Sequence, residues 1–466
     1  MQGAASAAGP EVHFIGGRVA VGGIAHPSGL HPGQAAAFPL VRVPVHGFPA
    51  VFAGAMVLRI VGVSPESDQG VVALSYVATL VTAAIPTALA ALALLWVCIR
   101  LGASAGGASF AALVFGIGTP MWAYATLLWG HALAGACLMG AFAAAVALAH
   151  GENHRRDLVL GLCVGLLCGW ATITEYPAAP PAALLAVLAL VHAFSRRRAM
   201  HVGGAVFAGA LVCATILAAY NQAAFGHPLS LSYTSVEGFS GMKAGFLGVT
   251  YPKASVAAEL LLGRFRGLLP LAPVLALAPV GLMALSRRAG RASASVAIVI
   301  VAYYLAFNSA YVYWNGGWSV GPRHLAPALP FLCLGLAPLW SRGPKTRAAL
   351  CALALVGAGQ ALVAVSTTPQ PPESVSSPMA TLLLPAFRDG DLALSHQSFS
   401  EAGTDPSRLR GGTLGHDAWN LGELLGLSGL ASLVPLLLGW ALAVILWLRF
   451  KPLPARSTGQ PSRPAS

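Results

Sequence analysis

Apolar runs recur along this chain at about 17 to 25 residues each, the length a helix needs to cross roughly 30 Å of hydrocarbon. Within lipid every backbone N–H and C=O must be satisfied inside its own segment, so runs this long and this numerous demand a bundle of helices. Spans read at about 71–99, 109–124, 129–149, 158–174, 178–194, 202–220, 268–285, 294–311, 325–341, 348–366 and 428–448. The expected fold class is therefore an all-α integral membrane protein, a multi-span helical bundle of about 11 spans. Composition agrees: 9% of residues are charged, against roughly 25% in soluble domains, and the mean hydropathy is +0.72.

Charge assigns an orientation to that bundle. One alternating set of loops holds Arg100, Arg155 and Arg156, Arg196 to Arg198, Arg287, Arg288 and Arg291, Arg342, Lys345 and Arg347, and the C-terminal basic residues, 16 of the 27 Lys and Arg in all. The remainder of the chain holds 11 basic residues and 13 of the 15 acidic ones. Short loops rich in Lys and Arg face the cytoplasm, so the C-terminus is expected inside. The net charge of +12 is then mostly a topology signal; a nucleic-acid surface would gather its basic residues on one patch.

With eleven spans this puts the N-terminus outside, yet residues 1–70 contain no charged-then-apolar stretch that would carry them across. The reading favours one further helix ahead of residue 1. Within 1–70, "GFPAVFAGAMVLRIVGV" is short, is interrupted by Arg59, and reads as a helix lying at the interface. The expected organisation is an N-terminal outer segment (1–70), a polytopic domain (71–450) with long outer loops at 221–267 and 367–427, and a disordered cytoplasmic tail (451–466). The last outer loop opens on "TTPQPPESVSSP", read as loose linker. All seven cysteines fall in spans, so neither a disulfide framework nor a metal spacing is implied.

Polar residues at span ends carry the functional signal, because ionisable groups at membrane depth are costly. Three outer hairpins hold them: "GTPMWAYATLLWGHALAG" with Trp122, Tyr124, Trp129 and His131, "ATITEYPAAPPA" with Glu175 and Tyr176, and "YVYWNGGWSVGPRHLAPALPFL" with Trp314, Asn315, Trp318, Arg323 and His324. Trp122, Tyr124 and Trp129 read as ordinary interfacial anchors. Arg323 presents a planar fork suited to phosphate oxygens, although any lipid headgroup would also satisfy it. Trp314 and Trp318 offer apolar faces to a sugar ring, while Asn315 and Tyr176 offer hydrogen bonds. Topology places the three clusters on one membrane face.

These same stretches, with "YNQAAFGHPLSLSY", "GFLGVTYP" and "NLGELLGLSGL", resemble bacterial membrane glycosyltransferases of the GT-C class, related to protein O-mannosyltransferases and to the aminoarabinose and Rgt-type lipopolysaccharide-modifying transferases. The resemblance covers about residues 70–450 and rests on the order of the motifs. It implies long extracytoplasmic loops and transfer of a sugar from a polyprenyl-phosphate carrier to a lipid, glycan or protein acceptor, at the outer face of a bacterial inner (plasma) membrane. A divalent cation is the one cofactor it admits. The family's acidic residue in the first outer loop has no counterpart, because "GGRVAVGGIAHPSGLHPGQAAAFPLVRVPVHGF" contains no Asp or Glu. Glu175, Glu237 and His131 are the candidates for proton acceptor, and Arg323 with His324 for the phosphate. Two further readings stay open: a catalytically inactive or truncated protein that binds sugar-lipids, and a transporter or flippase.

Overall fold

The structure is a computed structural model and describes residues 12–15, 18–21, 47–65, 67–150, 153–194, 198–230, 240–287, 290–394, 399 and 420–449. Glu237, the tail 451–466 and most of the first outer segment lie outside the described residues. Contacts divide the chain into two compact units, Met1–Leu384 and Pro385–Ser466.

In the first unit, β1 (Val12–Ile15) and β2 (Arg18–Val21) pair antiparallel with Val12 opposite Val21. The helices that follow are α1 (Phe48–Ile60), α2 (Asp68–Thr79), α3 (Ile85–Arg100), α4 (Ala105–Ile117), α5 (Gly130–Leu148), α6 (His154–Thr174) and α7 (Ala179–Phe194). After them come α8 (Ala199–Phe225), α9 (Ala254–Leu262), α10 (Ala278–Ser286), α11 (Arg291–Ala310), α12 (Leu329–Cys333) and α13 (Pro344–Thr367). The apolar stretch read as interfacial is α1, which packs on α2 while Phe52, Met56, Val57 and Ile60 stay exposed.

Among the described residues eight helices are long and apolar enough to cross a membrane: Ala73–Arg100, Gly130–Leu148, His154–Thr174, Tyr176–Phe194, Ala199–Phe225, Arg291–Ala310, Arg323–Arg342 and Pro344–Thr367. The chain is thus built as a membrane-embedded helical protein. Two of the other three predicted spans come out shorter, for local reasons. Gly118 and Pro120 end α4 at Ile117. Pro270, Pro273 and Pro279 break 268–286 into a single turn, a 3-10 segment and α10, since each proline removes a donor and crowds the preceding turn. The third, predicted over 428–448, is helical over 429–449: a 3-10 turn at Gly429–Leu433 leads straight into the helix Val434–Arg449.

Small residues set the packing. α5, rich in Ala and Gly, is the most enclosed of the long helices and touches α3, α6, α7 and the turn Arg323–Ala328. Gly161, Gly165 and Gly169 recur every fourth residue on α6 and all face α8. At Gly165 an added Cβ would lie 2.0 Å from the Val206 carbonyl oxygen, so only glycine permits that crossing. All seven cysteines are free and sit on helices, Cys163 and Cys168 together on α6.

The stretch read as loose linker is packed instead. Thr367 and Thr368 are buried, and the Val320 amide donates to the Pro369 carbonyl at 3.1 Å. Its prolines carry no N–H to satisfy, so the segment tucks against a neighbouring loop without leaving donors stranded. In the second unit, Asn420 and Glu423 cap one another's backbone amides and Asn420 donates to Ser432 at 2.9 Å. The helix α14 (Val434–Arg449) follows.

Candidate functional site

Three stretches far apart in sequence meet at the end of α5 that starts with Gly130. The first is the hairpin that leads into it. Thr119 donates to the Phe115 carbonyl at 2.9 Å and accepts from the Met121 amide at 3.2 Å, ending one helix and opening the turn Met121–Tyr124. Tyr124, read from sequence as an interfacial anchor, is fully buried, and its hydroxyl donates to the Val320 carbonyl at 2.7 Å. Burial pushes that hydroxyl's pKa up, so it stays a donor. Trp129 caps α5 in extended conformation, and His131 stands in its first turn.

The second stretch is the end of α6. Glu175 leaves the helix with extended backbone, ahead of a 3-10 turn at Tyr176–Ala178. That swings its carboxylate across to α5, where Oε1 meets Nδ1 of His131; both side chains are largely buried. Tyr176 is half-buried beside it.

The third is the loop between α11 and the turn Arg323–Ala328. The Arg323 guanidinium is buried 4.6 Å above the Trp129 ring, a stacked cation worth about 2 kcal/mol when desolvated. His324 sets its ring edge-on to His131 at 5.1 Å and to Tyr311 at 5.4 Å. Glu175, His131, His324 and Tyr311 therefore form one continuous row. Gly316 and Gly317 hold left-handed backbone with φ of +71° and +62°. A Cβ at Gly316 would meet the Arg323 side chain at 3.0 Å. Trp314 and Trp318 are half-buried on this loop.

Two residues that sequence reasoning missed hold the loop in place. Arg266 is fully buried and donates to the carbonyls of Asn315 at 2.9 Å and Gly317 at 2.5 Å. Burial pulls its pKa down to about 10, with Arg323 acting the same way and Tyr124 and Glu373 opposing; at neutral pH it remains a cation. Glu373 accepts a hydrogen bond from the Asn315 side chain, whose Oδ1 accepts from the Gly317 amide at 3.3 Å. The second arginine of "GRFRG" and a glutamate in "QPPES" carry no periodic signal; only their burial marks them.

Polar atoms exceed what the fold needs here. Tyr304 on α11 is fully buried within electrostatic range of Glu175, and its hydroxyl has no hydrogen-bond partner among the described residues. The amide of Asn308, one turn on and fully buried, has none either, nor does Oε2 of Glu373. Buried polar groups are almost always paired, so this surplus is a feature of the site. Metal binding fits less well: among the described residues no three His, Cys, Asp or Glu side chains are grouped to hold an ion. The cation admitted by the sequence reading finds no ligand set there.

The structure thus brings together His131, Glu175, Arg323 and His324, ties Asn315 to Glu373, and leaves Trp314, Trp318 and Tyr176 half-buried on the same loops. The arrangement can hold an oxyanion on arginine, accept a proton on carboxylate or imidazole, and offer hydrogen bonds to a polar ligand. No protein-family model matches the sequence, and no curated protein and no solved structure is detectably similar to it.

Proposed function

We propose that this protein is a membrane glycosyltransferase of the GT-C type, transferring a sugar from a polyprenyl-phosphate carrier to a lipid, glycan or protein acceptor at the extracytoplasmic face of a bacterial inner membrane, with its C-terminus in the cytoplasm. The observation that carries the reading is the convergence of Arg323, His324, His131 and Glu175 beside half-buried tryptophans and unpartnered polar side chains. Structural ion pairs alone require no such surplus.

In this reading the acceptor hydroxyl oxygen attacks the anomeric carbon as its proton passes to the Glu175–His131 pair. The anomeric C–O bond to phosphate breaks, and its electron pair leaves on the carrier phosphate. Arg323, with His324 beside it, stabilises that growing charge; donors fixed in advance avoid reorganisation at the transition state. Arg266 and Glu373 act through the loop they pin, so they are positioning residues. Trp314 and Trp318 supply apolar faces for the sugar, and Asn315 and Tyr176 supply hydrogen bonds.

The test is a transfer assay in tagged membranes with polyprenyl-phosphate-linked sugars, comparing the chain with Arg323→Ala. Transfer by the parent and its loss in the variant support the reading. Lipid binding without transfer in the parent moves the protein to the sugar-lipid-binding class, and no binding by either favours the transporter reading.

A further inference from the structure

The opposite ends of these helices enclose a second feature. Arg100 at the end of α3, His150 just past α5, His192 near the end of α7, and Gly290, Ala292 and Ser293 at the start of α11 line a cleft of about 290 Å³. All four elements reach it through loops assigned to the inner face by their basic residues. It lies about 28 Å from His131 along the 19 residues of α5.

The character of the lining is that of an oxyanion site. Arg100 is steadied by the Trp96 ring, 5.0 Å from its guanidinium. α11 opens on Gly290 with no side-chain cap and no acidic residue in its first turn, and Gly290, Ala292 and Ser293 at that positive end of its dipole line the cleft. Ser293 is only 3% exposed, lines the cleft, and makes no hydrogen bond among the described residues. His150 and His192 are fixed by Nδ1 contacts to the carbonyls of Val146 at 3.1 Å and Ala145 at 2.8 Å; a carbonyl only accepts, so Nδ1 carries the proton.

Among the described residues no Asp or Glu lines the cleft. Asp157 is paired to Arg198 at 2.5 Å. The carbonyls of Ala147 and His150, at the negative end of α5, are taken by Arg156. Arg100 is exposed, and what sets it apart from the other loop arginines is the cleft it shares with the buried Ser293.

We propose that this cleft binds a phosphate-type oxyanion at the inner membrane face, held by Arg100, Ser293 and the α11 N-terminus. The same chemistry suits an anionic phospholipid headgroup and a soluble phosphate, and the site does not depend on the glycosyltransferase reading. The test uses the full chain purified in a neutral maltoside detergent. Native mass spectrometry titrates dioleoylphosphatidylglycerol against dioleoylphosphatidylcholine, and thermal melting titrates inorganic phosphate. Phosphatidylglycerol is expected to be retained over phosphatidylcholine, with about tenfold weaker retention in Arg100→Gln and about threefold in Ser293→Ala. Arg100→Lys, which keeps the charge and loses the fork, falls between. Retention of the lipid without a phosphate effect assigns a headgroup site, and the converse assigns a soluble ligand. Arg347→Gln is the control, a basic residue from another inner loop that stacks on Trp340 outside the cleft. Absence of both ligands, or equal losses in Arg347→Gln and Arg100→Gln, overturns the proposal. A variant that no longer melts cooperatively is read from Ser293→Ala instead.

Discussion

The helix α6 meets a carboxylate contact at each of its poles. At the pole that the proposed topology puts inside, the inner pole, Asp157 pairs with Arg198 from the start of α8. At the opposite, outer pole, Glu175 pairs with His131 from the start of α5. As pairs they are alike: buried carboxylates, each matched by a side chain from another element. Their surroundings differ. Among the described residues the inner pair leaves one buried polar atom without a partner, Oδ1 of Asp157. The outer pole leaves Tyr304, both polar atoms of Asn308, Thr174 and Glu373 Oε2 so, with two buried arginines close by. A carboxylate contact on its own says little about function, because folding uses such contacts too. The surplus of polar groups beyond what folding uses is what marks the outer pole.

The sharpest way to break this comparison is to strike one residue at each pole and read activity and stability separately. Arg323→Ala is expected to lower sugar transfer about 100- to 1000-fold, the loss typical of removing a fixed donor to a developing oxyanion. Asp157→Asn is expected to leave transfer per folded molecule unchanged. If Asp157→Asn lowers the transfer rate of material with normal melting behaviour, the inner pole is part of the machinery and the distinction fails.

Within the outer pole, two carboxylates can be told apart. Glu175→Gln is expected to cost about 100-fold in rate, as removal of a proton acceptor does. Glu373→Gln keeps an acceptor for the Asn315 amide and is expected to cost about tenfold or less. The reverse pattern would make Glu373 the acceptor and Glu175 the positioning group.

Asp157→Asn has its own effect on stability. Removing one partner of a buried pair costs about 3–5 kcal/mol. Arg198 retains 24% of its side-chain exposure, so the cost falls at or below the lower end of that range. Thermal or denaturant unfolding in detergent measures it, and an unchanged melting midpoint would show the contact to be incidental.

How much of this was legible beforehand follows from what sequence patterns encode. Span length and the distribution of basic loops are one-dimensional, and they located the eight long helices and the three hairpins that meet at the outer pole. His131, Glu175 and Arg323 stood out because charge at an apolar boundary is rare. Tyr124 sat in an aromatic belt and looked like an anchor; its hydroxyl bond to Val320 spans 196 residues of sequence, and no local pattern carries that. Glu373 was hidden by prolines that ordinarily mark loose chain, and here those prolines allow the segment to pack. The breaks at Gly118–Pro120 and Pro270–Pro279 were present as residues, but composition averaged over a window hides a break that one proline makes.

The gentlest test bears on how the outer pole is held. Gly316 has φ +71°, and a Cβ there would sit 3.0 Å from Arg323 Cγ and 3.2 Å from its Nε. Gly316→Ala therefore adds backbone strain of about 1–3 kcal/mol and presses on the one side chain that the mechanism aims at phosphate. Because that side chain can shift by a few tenths of an ångström, the variant should fold, with transfer reduced about threefold to tenfold and donor-lipid affinity reduced with it. Gly62, also left-handed at φ +78° but with nothing within 4 Å of its Cβ position, gives the matched control: Gly62→Ala carries the same backbone strain without the contact. Equal losses of transfer in the two variants would mean that strain alone is responsible. A loss confined to Gly316→Ala would locate the effect at the guanidinium and separate the pole's geometry from its stability.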